Sequence, residues 1–215
     1  MLAQLEQDWK YCCLITGVSR GIGKQIALAV ARKMQIVILG RDEKTLKQTV
    51  QEIKLSKGWD CYYYVGDILE DSIGYWLSDF IRSRDLILKH VVLNAGEMDS
   101  APIGEMSQDM IHKMIDVNIK GNIFLLNHLV PELKKNGGGS VTIINSISGL
   151  RASKNNALYS ASKFALKAVA DSLREECARD NISVSSIYPG YTEGERTESS
   201  IKKVMQYKGL RSEEH

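Results

Sequence analysis

Short apolar runs alternate with amphipathic segments along most of the chain. Runs rich in β-branched, aromatic and other apolar residues predict six strands, over residues 11–15, 36–39, 61–65, 90–93, 141–144 and 182–188. Helical periodicity predicts helices between them, over residues 23–33, 43–55, 72–82, 107–134 and 159–178. Most of the strand segments lack strict alternation of apolar and polar positions, as is typical of parallel strands with helices on both faces.

This order of strands and helices favours one architecture. Right-handed crossovers between parallel strands lead to a doubly wound, Rossmann-type α/β sheet of about six strands. A chain of 215 residues fits one domain of this kind, so we expect a single domain over residues 1–215. In such a sheet a ligand binds beyond the carboxyl ends of the strands, where the strand order reverses.

Composition and charge exclude several classes of protein. The 28 Lys and Arg are interspersed with 26 Asp and Glu, and the net charge of +2 indicates no nucleic-acid partner. No apolar run approaches the roughly 20 residues that cross a membrane, and the N-terminus lacks a signal-peptide pattern, so we expect a cytoplasmic protein with no membrane partner. The cysteines and histidines lack ligand spacings, which predicts no metal site.

A glycine-rich turn follows the first predicted strand and leads into an amphipathic helix. It reads Thr16-Gly17-Val18-Ser19-Arg20-Gly21-Ile22-Gly23. Gly17 permits a tight turn, Gly21 lets the backbone approach a pyrophosphate, and Gly23 allows close packing of the helix on the strand. A tight turn that binds nothing could share this spacing, but its position after the first strand favours a dinucleotide site. The predicted contacts from this turn are Gly17, Ser19, Arg20, Gly21, Ile22 and Gly23.

The residues after the second strand bear on the choice of nicotinamide cofactor. An acid at the end of this strand favours the free ribose hydroxyl of NAD. Here the chain has Gly40-Arg41-Asp42, and Arg41 offers a planar fork for a 2′-phosphate, with Arg20 as a second cation. Asp42 is the counterargument, although it lies one residue late and could instead begin the next helix. We therefore expect NADP, with NAD as the alternative.

Tyr159 and Lys163 open the last predicted helix, and their four-residue spacing places them on one helix face. A nearby cation lowers the pKa of a phenol, so such a pair suits a general acid and base. An exposed Tyr and Lys on a surface helix would show the same spacing. Ser146 adds support because it follows the fifth strand on the same rim of the sheet, where its hydroxyl can stabilise an oxyanion. Ser148 competes for that role.

Asn118 interrupts an apolar stretch within the long helix predicted over residues 107–134. A buried amide at this position needs hydrogen-bond partners. It is either an ordinary core amide or part of a proton path, holding a water that leads from Lys163 to solvent.

Together these residues resemble the short-chain dehydrogenase/reductase family, in its compact single-domain branch, from about residue 12 to residue 190. The resemblance rests on the glycine turn and on further motifs, which are Asn94-Ala95-Gly96, Asn118, Ser146, Tyr159, Lys163 and Pro189-Gly190. It implies that Asp67 reaches the adenine edge and that Asn94, Ala95 and Gly96 support the cofactor. It also implies that Pro189 and Gly190 face the nicotinamide, that Lys163 and Tyr159 contact the cofactor, and that Thr192 is a further candidate contact. Helix pairing in the family implies a homodimer or larger homo-oligomer.

The chain departs from the family pattern near its end. The family continues beyond the Pro-Gly motif through a substrate loop, a helix and a seventh strand, whereas about 25 residues follow Gly190 here. We therefore expect a six-stranded sheet without the seventh strand, in which residues 182–188 form an edge. Residues 191–215 are expected to form a lid or a partly mobile segment, with residues 193–211 folded across that edge or mobile.

These observations predict a dinucleotide-binding catalytic domain, specifically an NADP-dependent oxidoreductase that moves a hydride between nicotinamide and a small-molecule carbonyl or alcohol. Tyr159 is its predicted general acid and base, and Asn118, Ser146 and Lys163 complete the catalytic set. The alternative is a sensor or scaffold protein of the same fold that binds the cofactor without turnover. The walls of the substrate site are expected at Glu97, Met98, Leu150, Arg151, Ser153 and Tyr191.

Overall fold

A computed structural model of the protein describes residues 10–56, 58–190 and 192. The strands are β1 (Tyr11–Thr16), β2 (Gln35–Gly40), β3 (Cys61–Val65), β4 (Ile87–Leu93), β5 (Gly139–Ile144) and β6 (Ile182–Ile187). The helices are α1 (Gly21–Val30), α2 (Glu43–Leu55), α3 (Ile73–Arg82), α4 (Gln108–Ile115), α5 (Gly121–Lys135) and α6 (Ala157–Glu176). A π-helical turn at Asp116–Lys120 joins α4 to α5, and a 3₁₀ turn at Ile147–Gly149 follows β5.

The six strands are parallel and lie in the order β3-β2-β1-β4-β5-β6. This arrangement confirms the predicted doubly wound, Rossmann-type sheet. The strand order reverses between β1 and β4, so the carboxyl ends of these two strands border the crevice in which such sheets bind ligands. The register pairs Leu14 of β1 with Val37 of β2 and with Val91 of β4.

Helices cover both faces of the sheet, as the continuous apolar character of the strands predicts. Successive residues of β1 enter opposite cores, so that Cys12 lies in the cluster beneath α3, α5 and α6. Cys13 lies in the other cluster, beneath α1 and α2. Because both side-chain directions of the central strands are buried, a polar residue in these strands is costly unless it is hydrogen-bonded.

The prediction of a single helix over residues 107–134 is wrong in one respect, because the π-helical turn at Asp116–Lys120 interrupts the helix around Asn118. The side chain of Asn122 contacts this turn. Its Nδ2 donates to the carbonyl oxygens of Val117 (3.2 Å) and Asn118 (2.9 Å), which compensates for local irregularity in the backbone ladder. The apolar periodicity on either side of the turn is nearly unchanged, so the pattern alone does not reveal it.

At the far side of the sheet, β6 pairs with β5 and has no second partner within the described part of the chain. The expected edge is therefore present among those residues. The predictions of residues 191–215 as a lid and of residues 193–211 as a cover for this edge fall, apart from Thr192, outside the described residues and stay predictions. The same holds for Tyr191 as a wall of the substrate site. None of the described helices has the length and apolar character needed to cross a membrane.

Burial of the four cysteines leads to a first prediction. All four are free thiols in buried positions. Burial raises the pKa of Cys12 and of Cys61 to about 12, and it also raises the pKa of Cys13 and of Cys177. Because the thiolate is the reactive form, the native protein at pH 8 should react negligibly with Ellman's reagent. After unfolding in guanidinium all four should react, and rapid labelling of the native protein would contradict this assignment.

Candidate active site

The ends of β1 and β4 are joined by a compact hydrogen-bond network around Thr16. The Thr16 Oγ1, which is fully buried, accepts from the backbone N–H groups of Asn94 and Ala95, both at 3.0 Å. In return, Asn94 Nδ2 donates to the carbonyl oxygens of Thr16 (3.2 Å) and Gly17 (2.8 Å). Asn94 therefore braces the glycine turn from the neighbouring strand. The sequence analysis did not identify Thr16, although it is the first residue of the turn motif.

Two glycines of the turn have no room for a side chain. Gly17 has a φ of +68°, and a Cβ there would lie 2.8 Å from the backbone of Ala95. A Cβ on Gly23 would lie 2.3 Å from both Asn94 Nδ2 and the Gly17 carbonyl oxygen. Gly21 differs, because a Cβ there would meet open space. The backbone of the turn at Gly21 is thus accessible from the crevice, as a close approach by a pyrophosphate requires.

A cavity of about 490 Å³ lies beyond these strand ends. Residues that follow β1, β2, β3 and β4 line it, as expected at the switch point. It brings together most of the predicted cofactor residues, which are Gly17, Ser19, Arg20, Gly21, Ile22, Arg41, Asp67, Asn94, Ala95, Gly96 and Thr192. Gly23 lies behind the turn, where it allows α1 to pack.

At the end of β2, Arg41 and Asp42 have different roles. Asp42 is the N-cap of α2, and its carboxylate accepts from the backbone N–H of Lys44 at 3.0 Å. Hydrogen bonding, first of all from the Thr45 side chain, lowers the pKa of Asp42. Asp42 thus begins helix α2, which was the alternative to an acid that selects NAD. Arg41 points over the cavity, where its guanidinium lies 3.7 Å from Asp67 and 3.8 Å from Glu97.

On α6, Tyr159 and Lys163 lie close together, as their spacing predicts. The Lys163 Nζ is 5.7 Å from the centre of the Tyr159 ring and donates to the carbonyl oxygen of Ile144 at 3.2 Å. The Lys163 residue is only 5% exposed, which excludes the alternative of a solvated surface lysine. A Cβ on Gly96 would lie 3.8 Å from this Nζ, so the ammonium group adjoins the loop that lines the cavity.

Ser146 is held against the same helix by Asn145. The Oδ1 of Asn145 accepts from the Ser146 backbone N–H (3.0 Å), and its Nδ2 donates to the Lys163 carbonyl oxygen (3.1 Å). The Ser146 Oγ accepts from the backbone N–H of Ser148 at 3.1 Å, within the 3₁₀ turn. The competitor Ser148 accepts from Asn156 Nδ2 at 3.2 Å. The structure thus fixes Ser146 and Lys163 relative to each other through one buried amide.

Asn118 fits the description of a core amide with partners. Its Oδ1 accepts from the Glu97 backbone N–H at 2.7 Å, and its Nδ2 donates to the Glu97 carbonyl oxygen and to Ser162 Oγ, both at 2.9 Å. Ser162 Oγ donates in turn to the Tyr159 carbonyl oxygen at 2.7 Å. The side chain therefore clamps the loop after β4 to helix α6. A water path from Lys163 through this residue stays a prediction.

The loop after β6 is tied to the segment that follows β5. The carbonyl oxygen of Pro189 accepts from the Ile147 backbone N–H at 3.0 Å, which ties this loop to the turn that follows Ser146. A Cβ on Gly190 would meet open space. Among the described residues, no group of three His, Cys, Asp or Glu side chains could hold a metal ion.

Several positioning residues escaped the sequence analysis. They are Thr16, Asn145, Asn156 and Ser162, all small polar residues next to a recognised motif. The available signal was the proximity of Thr16 and Asn145 to strand ends and of Asn156 and Ser162 to Tyr159 in the sequence. Glu97, which was expected at the substrate wall, lines the cavity with its carboxylate beside Arg41, and its role at the substrate stays a prediction.

Comparisons with known proteins identify the family of the chain. The family model described as short chain dehydrogenase matches residues 11–204. An oxidoreductase of Staphylococcus epidermidis is 32% identical over 189 residues, which cover 87% of this chain and 80% of that protein. The chain therefore belongs to the short-chain dehydrogenase family, whose members are oxidoreductases that use nicotinamide cofactors.

Solved structures share the fold over most of its length. A short-chain dehydrogenase from Shigella flexneri, complexed with NADP, is 28% identical with a TM-score of 0.84, covering 91% of this chain and 84% of its own. An NAD⁺-bound xylitol dehydrogenase is 21% identical with a TM-score of 0.85, covering 97% of this chain and 79% of its own. The same fold thus accommodates either cofactor in different proteins.

Proposed function

We propose that the protein is an NADP-dependent oxidoreductase that transfers a hydride between nicotinamide and a small-molecule carbonyl or alcohol. One observation carries the proposal: the buried Lys163 ammonium lies beside the Tyr159 ring and against the cavity loop, on the same rim as Ser146. A buried ammonium is costly unless it has partners, and Lys163 donates to the carbonyl oxygen of Ile144. Its positive charge beside the Tyr159 ring favours the deprotonated form of the phenol.

The residues around the cavity suit a dinucleotide. The open backbone at Gly21 and the N-terminus of α1 suit a diphosphate, because amide donors and the helix dipole favour an anion. Asp67 suits the adenine edge, and Arg41 with Arg20 suits a 2′-phosphate. Lys163 would hold the nicotinamide ribose, with Pro189, Gly190 and Thr192 on the nicotinamide side.

In the proposed mechanism, a substrate oxygen binds between Ser146 and Tyr159. Because the Ser146 oxygen accepts a hydrogen bond from Ser148, its own proton can be donated to the substrate oxygen. Tyr159 donates a proton to that oxygen during reduction and removes it during oxidation. Lys163 stabilises the resulting phenolate by its positive charge. When bound, the nicotinamide supplies or accepts the hydride.

Substitution of Tyr159 tests the catalytic assignment. Tyr159→Phe removes only the transferable proton, so turnover of carbonyl substrates should fall at least about 100-fold. The dissociation constant of NADPH, measured by calorimetry, should change less than about twofold because this variant keeps the aromatic ring. Tyr75→Phe, on the exposed surface of α3, is the matched control and should keep full activity. Undiminished turnover in Tyr159→Phe would reject the role.

Substitution of Arg41 tests the cofactor. A charge-assisted hydrogen bond is worth about 1.5 to 3 kcal/mol, so Arg41→Ala should bind NADPH roughly 10- to 100-fold more weakly. Binding of NADH should change little, since its ribose has no phosphate. Arg32→Ala, an exposed site outside the cavity lining, is the control. Equal affinities of the unmodified protein for the two cofactors in calorimetry would contradict the proposed preference.

We also propose that α4, α5 and α6 form a homodimer interface. Apolar side chains that are more than a third exposed lie on these helices, namely Ile111, Ile115, Ile123 and Phe164. Exposed apolar groups on adjacent helices mark an association surface. Sedimentation equilibrium at micromolar concentration should give a dimer, and Phe164→Glu should shift it toward monomer. Trp76→Glu on α3 should stay dimeric, and a monomeric unmodified protein would contradict the proposal.

A further inference from the structure

The Glu97 side chain reaches from the loop after β4 across the crevice to the end of β2. Its Oε1 lies 3.8 Å from Arg41 Nη2 and 3.8 Å from Lys113 Nζ on α4. The side chain is 25% exposed and lines the cavity. The Glu97 carboxylate thus lies next to Arg41, the residue that we propose binds the 2′-phosphate of NADP.

The position of Glu97 does not depend on its carboxylate. Asn118 holds the backbone N–H and the carbonyl oxygen of Glu97 through two hydrogen bonds, at 2.7 and 2.9 Å. A change of the Glu97 side chain therefore leaves the loop anchored. Asp67, the other acid beside Arg41, is less separable because its carboxylate accepts from the Leu69 backbone N–H within a turn.

Two opposite effects of Glu97 on an anion bound by Arg41 must be compared. The first effect is that the carboxylate holds the guanidinium in position. However, Glu97 Oε1 and Arg41 Nη2 are 3.8 Å apart, which exceeds hydrogen-bond distance, and the Arg41 side chain is 64% exposed. An exposed ion pair of this kind raises the affinity of Arg41 for the anion by at most about fivefold. The carboxylate also repels the anion. In this arrangement of the side chains, any group that hydrogen-bonds to Arg41 Nη2 lies within about 7 Å of Glu97 Oε1.

The repulsion is the larger of the two effects. In water, a unit negative charge at about 6 to 7 Å from a doubly charged phosphate weakens the binding of that phosphate roughly tenfold, compared with an uncharged side chain at the same distance. Lys113 offsets part of the Glu97 charge, so tenfold is about the upper value. We propose that Glu97 is a specificity-determining residue that weakens recognition of the 2′-phosphate and narrows the preference for NADPH over NADH. This inference rests on the proposed function.

Calorimetric titration of Glu97→Gln with NADPH and with NADH tests the inference. The variant keeps the size of the side chain and loses its charge. It should bind NADPH about 3- to 10-fold more tightly at low ionic strength and bind NADH within about twofold of the unmodified protein. The gain should shrink in about 1 M salt, where screening acts within a few ångströms. Glu105→Gln, an equal change of charge on an exposed loop outside the cavity lining, should alter neither affinity.

The outcomes separate this inference from the proposed function. Weaker NADPH binding by Glu97→Gln would show that Glu97 positions Arg41, and an unchanged ratio of the two affinities would show that it has no part in specificity. Either result overturns the inference while cofactor binding stands. An unmodified protein that binds neither dinucleotide would overturn both. Glu97→Ala, with a thermal melt to check folding, provides a second variant that should shift NADPH affinity in the same direction.

Discussion

The hydrogen bonds between Thr16 and the Asn94 segment hold the two strands at the switch point together, and the glycine turn that lines the cavity depends on that junction. Adjacent parallel strands are joined by backbone ladders, but the ladders stop where the strands end. Beyond that point the Thr16 hydroxyl and the Asn94 amide replace the missing partners. The close contact of Gly23 with Asn94 and with Gly17 then fixes where α1 begins. A loosened junction would displace the turn and the helix terminus together.

Ser146 and Lys163 are positioned in a comparable way, by buried side-chain amides. Asn145 links the segment of Ser146 to the backbone of Lys163, and Asn118 links the loop after β4 to Ser162. A buried amide without partners would cost about 1 to 3 kcal/mol, so each of these residues strongly favours the one arrangement in which its bonds are made. The π-helical turn at Asp116–Lys120 belongs to this arrangement, because it contains Asn118. Precision at the site thus arises from polar groups in the core.

Charge at the end of β2 is balanced differently. Arg41 faces the carboxylates of Asp67 and Glu97, and Lys113 faces Glu97 from the other side. These pairs are long and partly exposed, so they contribute little to stability. Their effect is on the local potential that an incoming phosphate meets. In the proposed function, a single Arg at the end of β2 therefore does not set the cofactor preference alone, since the acids around it modify its attraction for an anion.

The sequence by itself determined the class of fold, and it led to the chemistry that we propose for the site. Apolar runs without alternation require a sheet buried on both faces, and a glycine turn after β1 with Tyr159, Lys163 and Ser146 at strand ends requires those groups to share one rim. Such statements depend on spacing along the chain, which the sequence contains directly. The tertiary structure decided what depends on residues distant in sequence. It made Asp42 a helix cap, brought Glu97 to Arg41, and broke the long helix at Asn118, because each of these outcomes is set by hydrogen bonds and charges between segments whose distance in space no local pattern encodes.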